Sequence, residues 1–235
     1  MKKLTLILII VLQILDIYCQ NIDNKIIWIG SNRIYNYEAD GRMNADTNEF
    51  LSSVLWFSEN EINIISFVTD YDKYTTVSDT MTFEYSIEDG KIVGNIKNDT
   101  VVLNGIIDNI ILRINIGDKK TNVDLTFLKL EREIQTDKND LNEIKRLLTS
   151  KKWKVHVSGE DFYHEYLPNN KFKLSSWNSS QRWDLVKILD YYFIVTNDYM
   201  FGPYITLIKK ASLNEIDLLV FNKESIKEYT MKKLK

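Results

Sequence analysis

Met81-Thr82-Phe83-Glu84-Tyr85-Ser86-Ile87-Glu88-Asp89-Gly90-Lys91-Ile92-Val93 is the stretch on which the fold turns. Met81, Phe83, Tyr85 and Ile87 alternate with Thr82, Glu84, Ser86 and Glu88. Successive side chains of a strand point to opposite faces, so this reads as a half-buried strand. Asp89-Gly90 accepts the positive φ of a tight turn, and Lys91-Ile92-Val93 starts the return. The unit is an antiparallel hairpin.

The same alternation recurs outward in both directions. Ile110, Leu112, Ile114 and Ile116 form one such set, and Val123, Leu125 and Phe127 another. Trp153, Val155 and Val157 alternate with Lys152, Lys154 and His156, and Ile216, Leu218 and Val220 close the series. Asp40-Gly41, Asn104-Gly105 and Pro168-Asn169-Asn170 supply further expected turns. Short strands punctuated at this spacing predict an all-β chain of antiparallel barrels or sandwiches. One segment departs from the pattern. Leu141, Ile144, Leu147 and Leu148 fall at helical spacing after Asp140, an N-cap residue with Glu143 three positions on. A short amphipathic helix is expected over 139–149, after the charged, apolar-poor segment 131–138.

That helix sits near the middle of the chain, and the pieces on either side echo each other. Ile26-Ile27-Trp28-Ile29 opens one half and Lys152-Trp153-Lys154-Val155 the other. Leu125-Thr126-Phe127-Leu128-Lys129-Leu130 and Tyr229-Thr230-Met231-Lys232-Lys233-Leu234 close them. The expectation is two small antiparallel β-barrel or sandwich domains, 21–136 and 137–235, joined by the short helix, after an N-terminal segment 1–20 of another kind. Each half resembles the lipocalin-like domains of exported bacterial proteins. Those carry an early tryptophan after a helical turn, as in Leu147-Leu148-Thr149-Ser150-Lys151-Lys152-Trp153, here without the family's glycine. The resemblance implies a barrel with an apolar interior and a bound lipophilic molecule. It carries no shared catalytic residues.

Residues 1–20 read as an address. Lys2 and Lys3 precede an apolar run of about a dozen residues, Leu4 to Leu15, which Asp16 ends. This is the pattern of a secretory signal peptide and falls short of the ~20 residues that span a bilayer. Cleavage near residues 19–21 is expected, giving an exported protein without a transmembrane span. Cys19 offers the alternative of a lipid-anchored form, against which the bulky Tyr18 before it argues. Loss of Lys2, Lys3 and Asp16 moves the formal charge from −3 to −4. Such a balance leaves no electrostatic footprint for nucleic acid, and one cysteine excludes an internal disulfide framework.

Candidate chemistry is sparse. His156 and His164, with Glu160, Asp161 and Glu165, form the one metal-like cluster. Placed on neighbouring strands they read as a solvated polar face, since metal sites need three or four converging ligands. No metal and no cofactor are expected. A Gly-x-Ser-x-Gly elbow and a glycine-rich phosphate loop are both missing from the sequence. The carboxylate pairs Asp70/Asp72 and Glu88/Asp89 read as turn chemistry, though a hydrolase could use such pairs. Trp56-Phe57, Trp183 and Tyr191-Tyr192-Phe193 read as core filling. Trp177 differs, because Ser175-Ser176-Trp177-Asn178-Ser179-Ser180 is a polar loop, and it is the nominated ligand-binding residue.

The function expected is therefore non-enzymatic: an exported β-barrel that binds a small apolar ligand or an envelope protein. The alternatives are an immunity-type inhibitor and a carboxylate-dependent hydrolase. An apolar pocket inside a barrel favours the first, an exposed apolar patch the second, and facing carboxylates in a cleft the third.

Overall fold

The structure is a computed structural model that describes residues 26–37, 43–58, 61–70, 75–88, 91–95, 102–107, 111–117, 122–130, 140–175, 181–198, 202–221 and 225–234. Residues 1–20, with Cys19, lie outside that set, as do Asp72, Asp89 and the expected domain boundary at 136/137.

Among the described residues, sixteen strands close into two antiparallel barrels of eight. The first runs β1 (Ile27–Tyr37), β2 (Met43–Phe57), β3 (Glu61–Asp70), β4 (Thr75–Glu88), β5 (Lys91–Asn95), β6 (Val102–Ile107), β7 (Ile111–Gly117) and β8 (Asn122–Lys129). Each strand pairs with the next, and Trp28↔Lys129 and Ile29↔Leu128 close β1 on β8. The second comprises β9 (Lys152–Val157), β10 (Glu160–Tyr166), β11 (Lys171–Leu174), β12 (Gln181–Ile188), β13 (Tyr191–Asp198), β14 (Gly202–Ala211), β15 (Glu215–Phe221) and β16 (Ile226–Lys233). Met231↔Val155 lies in its closing register between β16 and β9.

The hairpin on which the reading began is present, with Glu88↔Lys91 as its last pair. Asn104-Gly105 corrects the reading. It lies inside β6, where Asn104 pairs Val93 on one side and Asn115 on the other. Two flanking strands satisfy the backbone there, and that pairing overrides the dipeptide's local preference for a turn.

The helix α1 (Leu141–Thr149) starts where its cap predicts: the Asp140 carboxylate accepts a 2.8 Å bond from the Glu143 amide. Ile144, Leu147 and Leu148 are buried in the same cluster as Trp153, so the helix plugs the second barrel.

The barrels pack wall to wall. Ile27, Ile29, Val54 and Phe67 of the first meet Phe193, Val195, Ile205, Leu207, Leu219 and Phe221 of the second in one buried cluster. Ser52 Oγ donates to the Pro203 carbonyl across this seam. Strands β13 to β15 are thus apolar on both faces, and period-two alternation gives way there to runs such as Tyr192-Phe193-Ile194-Val195, all buried.

Candidate functional site

Eight strands make a barrel just wide enough to be filled by side chains or to hold one small ligand. Each barrel has its own buried apolar cluster. Trp28, Phe57, Phe83 and Phe127 occupy the first, with Trp28 edge-on to Phe57 at 5.0 Å. The second contains a cavity of about 400 Å³.

Inward-facing positions of all eight strands build this cavity. β9 gives Val155 and Val157, β10 gives Phe162, His164 and Tyr166, and β11 and β12 give Phe172, Leu174 and Gln181. Ile194 and Thr196 of β13, Tyr204 and Thr206 of β14, Leu218 and Val220 of β15, and Tyr229 of β16 complete the wall. It is an apolar lining with a few polar groups, the usual make-up of a small-molecule site. At its base Tyr166 is fully enclosed, donates to Met231 Sδ at 3.8 Å, and has its pKa pushed up by burial. Trp183 stands against Tyr166 at 5.1 Å and anchors itself through Nε1 to the Leu167 carbonyl at 3.0 Å.

His164 overturns the expectation of a solvated face. It shares the inward parity of Phe162 and Tyr166 and pairs Trp153 in register, while His156 pairs Asp161. Its ring lies edge-on to Phe172 at 5.3 Å and to Tyr166 at 6.3 Å. Nδ1 is buried without a hydrogen-bond partner. Burial among these rings disfavours the imidazolium and pulls the pKa down to about 4, so the side chain is neutral at pH 7. The signal was in the sequence: Phe162-x-His164-x-Tyr166 is an apolar alternation that the acidic Glu160, Asp161 and Glu165 around it obscure.

His156 remains outside. Its Nδ1 lies 2.9 Å from Asp161 Oδ1, and Lys154 bonds the same carboxylate. The Lys154 ammonium, and then His156, hold the Asp161 carboxyl below its ordinary value. The two histidines therefore occupy opposite faces of the sheet. Among the described residues, no three His, Cys, Asp or Glu side chains gather to hold a metal ion. Trp177 lies in 176–180, outside the described residues, whereas Leu174 and Gln181 on either side of that segment line the cavity.

No family model matches the sequence, and no curated protein matches it. Among solved structures, kievitone hydratase from Nectria haematococca aligns over 91% of this chain and 90% of its own, at 6% identity and a TM-score of 0.24. A likeness that slight carries no argument about fold or activity. No helix among the described residues is long and apolar enough to cross a membrane.

Proposed function

We propose that this protein is an exported binding protein that encloses one small, largely apolar molecule inside its second barrel, acting as a carrier or sensor and not as a catalyst. One observation carries the reading: the cavity of about 400 Å³, walled by inward-facing positions of eight strands. A carrier needs apolar enclosure with few orienting polar groups, which is what Gln181, Thr196, Thr206 and His164 supply among the apolar side chains. A carboxylate-dependent hydrolase would need such groups at the reacting atoms, and among the described residues the wall has neither Asp nor Glu. The basic start and apolar run of residues 1–15 support export. The lipocalin-like reading of each half, and its origin by duplication, belong to the same proposal.

The neutral dye N-phenyl-1-naphthylamine tests it, because its fluorescence rises on transfer from water to an apolar site. Saturable one-to-one binding is expected, weakened by Val220→Trp, which puts a bulky ring into the cavity. Absence of binding, or binding unchanged in a folded Val220→Trp protein, overturns the reading. Native mass spectrometry of protein from its own host then gives the natural occupant its mass. N-terminal sequencing is expected to begin near residues 19–21, and an intact Met1 would overturn export.

A further inference from the structure

Resting on that reading, we propose that the second-barrel cavity selects an uncharged molecule carrying one hydrogen-bond-accepting oxygen, placed on the His164 imidazole, and rejects the ionised fatty acid of equal length. The argument begins with what the wall lacks. Among the described residues, none of those lining the cavity is Lys, Arg, Asp or Glu. The lysines of β9 and β11 that flank it, Lys152, Lys154 and Lys173, sit on the outer face and pair with Glu165 and Asp161. A carboxylate drawn into the cavity would meet no fixed cation, and an unpaired buried charge is costly.

Among the described residues, His164 is the one titratable nitrogen base in the wall. It supplies no counter-charge at neutral pH, since its burial keeps the ring unprotonated. A neutral imidazole still has one N–H to give. Nδ1 is enclosed with no partner, and a buried orphan N–H is rarer than a buried orphan lone pair. The proton therefore belongs on Nε2, which makes the ring a donor. A ring donor in the wall of an apolar cavity suits an oxygen of the occupant: a hydroxyl, a carbonyl or an ether. Edge-on contacts from Phe172 and Tyr166 hold the ring in place for it.

Size adds a limit. About 400 Å³ equals the liquid volume of roughly thirteen waters. That is the scale of a medium-chain or two-ring molecule.

The experiment is displacement of N-phenyl-1-naphthylamine from the full chain at pH 7.5 by 1-decanol and by decanoate. Decanol is expected to compete at least about tenfold better, the advantage of avoiding an unpaired buried charge. In His164→Phe the dye should still bind, while decanol weakens by roughly three- to tenfold, the range for one hydrogen bond. His164→Gln, which restores an N–H donor, should recover part of the loss. Decanoate competing as well as decanol overturns the selection for neutral ligands. Decanol unaffected in a folded His164→Phe protein overturns the assignment to His164. Should either variant fail to fold, the order of the two ligands on the unaltered protein still decides the first point. Failure of the dye itself to bind would instead sink the underlying carrier reading, so the two failures are told apart.

Discussion

The indole Nε1 of Trp153 donates to the Leu148 carbonyl at 3.0 Å, tying the first strand of the second barrel to the last turn of its helix. Leu148 is one of the carbonyls that an α-helix cannot satisfy internally at its C-terminus. Trp28, at the matching place in the first barrel, is equally buried, yet its Nε1 has no partner.

These two tryptophans should therefore respond differently to the same change. Trp153→Phe loses volume and a hydrogen bond and strands the Leu148 carbonyl, which should cost roughly 2–4 kcal/mol. Trp28→Phe loses volume but also removes an unsatisfied donor, so its cost should be smaller by about 1 kcal/mol. Urea unfolding followed by far-UV circular dichroism measures both, and the reverse order would refute the argument.

Acid should weaken the fold through His164. Its folded pKa of about 4 lies below the 6.5 of the unfolded chain, so between those values the unfolded state binds more protons. The stability from keeping the ring neutral is present above pH 6.5 and lost as pH falls towards 4, by up to about 3 kcal/mol. Unfolding free energies at pH 7 and pH 4.5 should differ by less in His164→Phe than in the parent. An equal pH dependence in the two proteins would refute this.

Residues 141–235 contain every strand of the second barrel, so the fragment carries its own closed sheet. Taken alone it would expose Phe193, Val195, Ile205, Leu207, Leu219 and Phe221. The excised fragment is expected to fold but to self-associate, as large exposed apolar patches do. Adding Leu207→Lys and Leu219→Lys should return it to a monomer by light scattering. In the full chain the same pair should cost more than about 4 kcal/mol, because two charges enter a buried seam.

Two glycines should fail for separate reasons. A Cβ on Gly94 would stand 2.5 Å from the Glu84 carbonyl oxygen, a backbone atom of the paired strand that cannot swing away. Gly94→Ala should cost roughly 1–3 kcal/mol by overpacking. Gly159 has open space around it but a φ of +88°, so Gly159→Ala should cost about 1 kcal/mol from backbone strain alone. Thermal melts separate the two, and equal effects would argue against the clash at Gly94.

Much of this architecture was legible because one-sided burial writes itself as alternation. Lys152–Val157 shows it plainly, with Trp153 and Val155 buried between charged neighbours. The Asp140 cap was legible for a local reason, since a side chain three residues from an amide decides it. Asn104-Gly105 misled because strand pairing from distant sequence outweighs a dipeptide's preference. The interior place of His164 was hidden by chemistry, as its neighbours Asp161 and Glu165 are charged although its parity partners are aromatic. A cavity leaves no mark of its own in a sequence. It depends on how far the summed side chains fall short of the space enclosed by eight strands, and that sum needs the register.

Even-numbered positions of β13 to β15 (Ile194, Thr196, Thr206, Leu218) look into the cavity, and odd-numbered ones (Phe193, Val195, Leu207, Leu219) look into the seam between barrels. The partition between the two compartments is thus a single sheet of backbone. A molecule lodged in the second barrel rests on the same peptide planes that the first barrel leans against from behind, with no third layer to cushion either from the other.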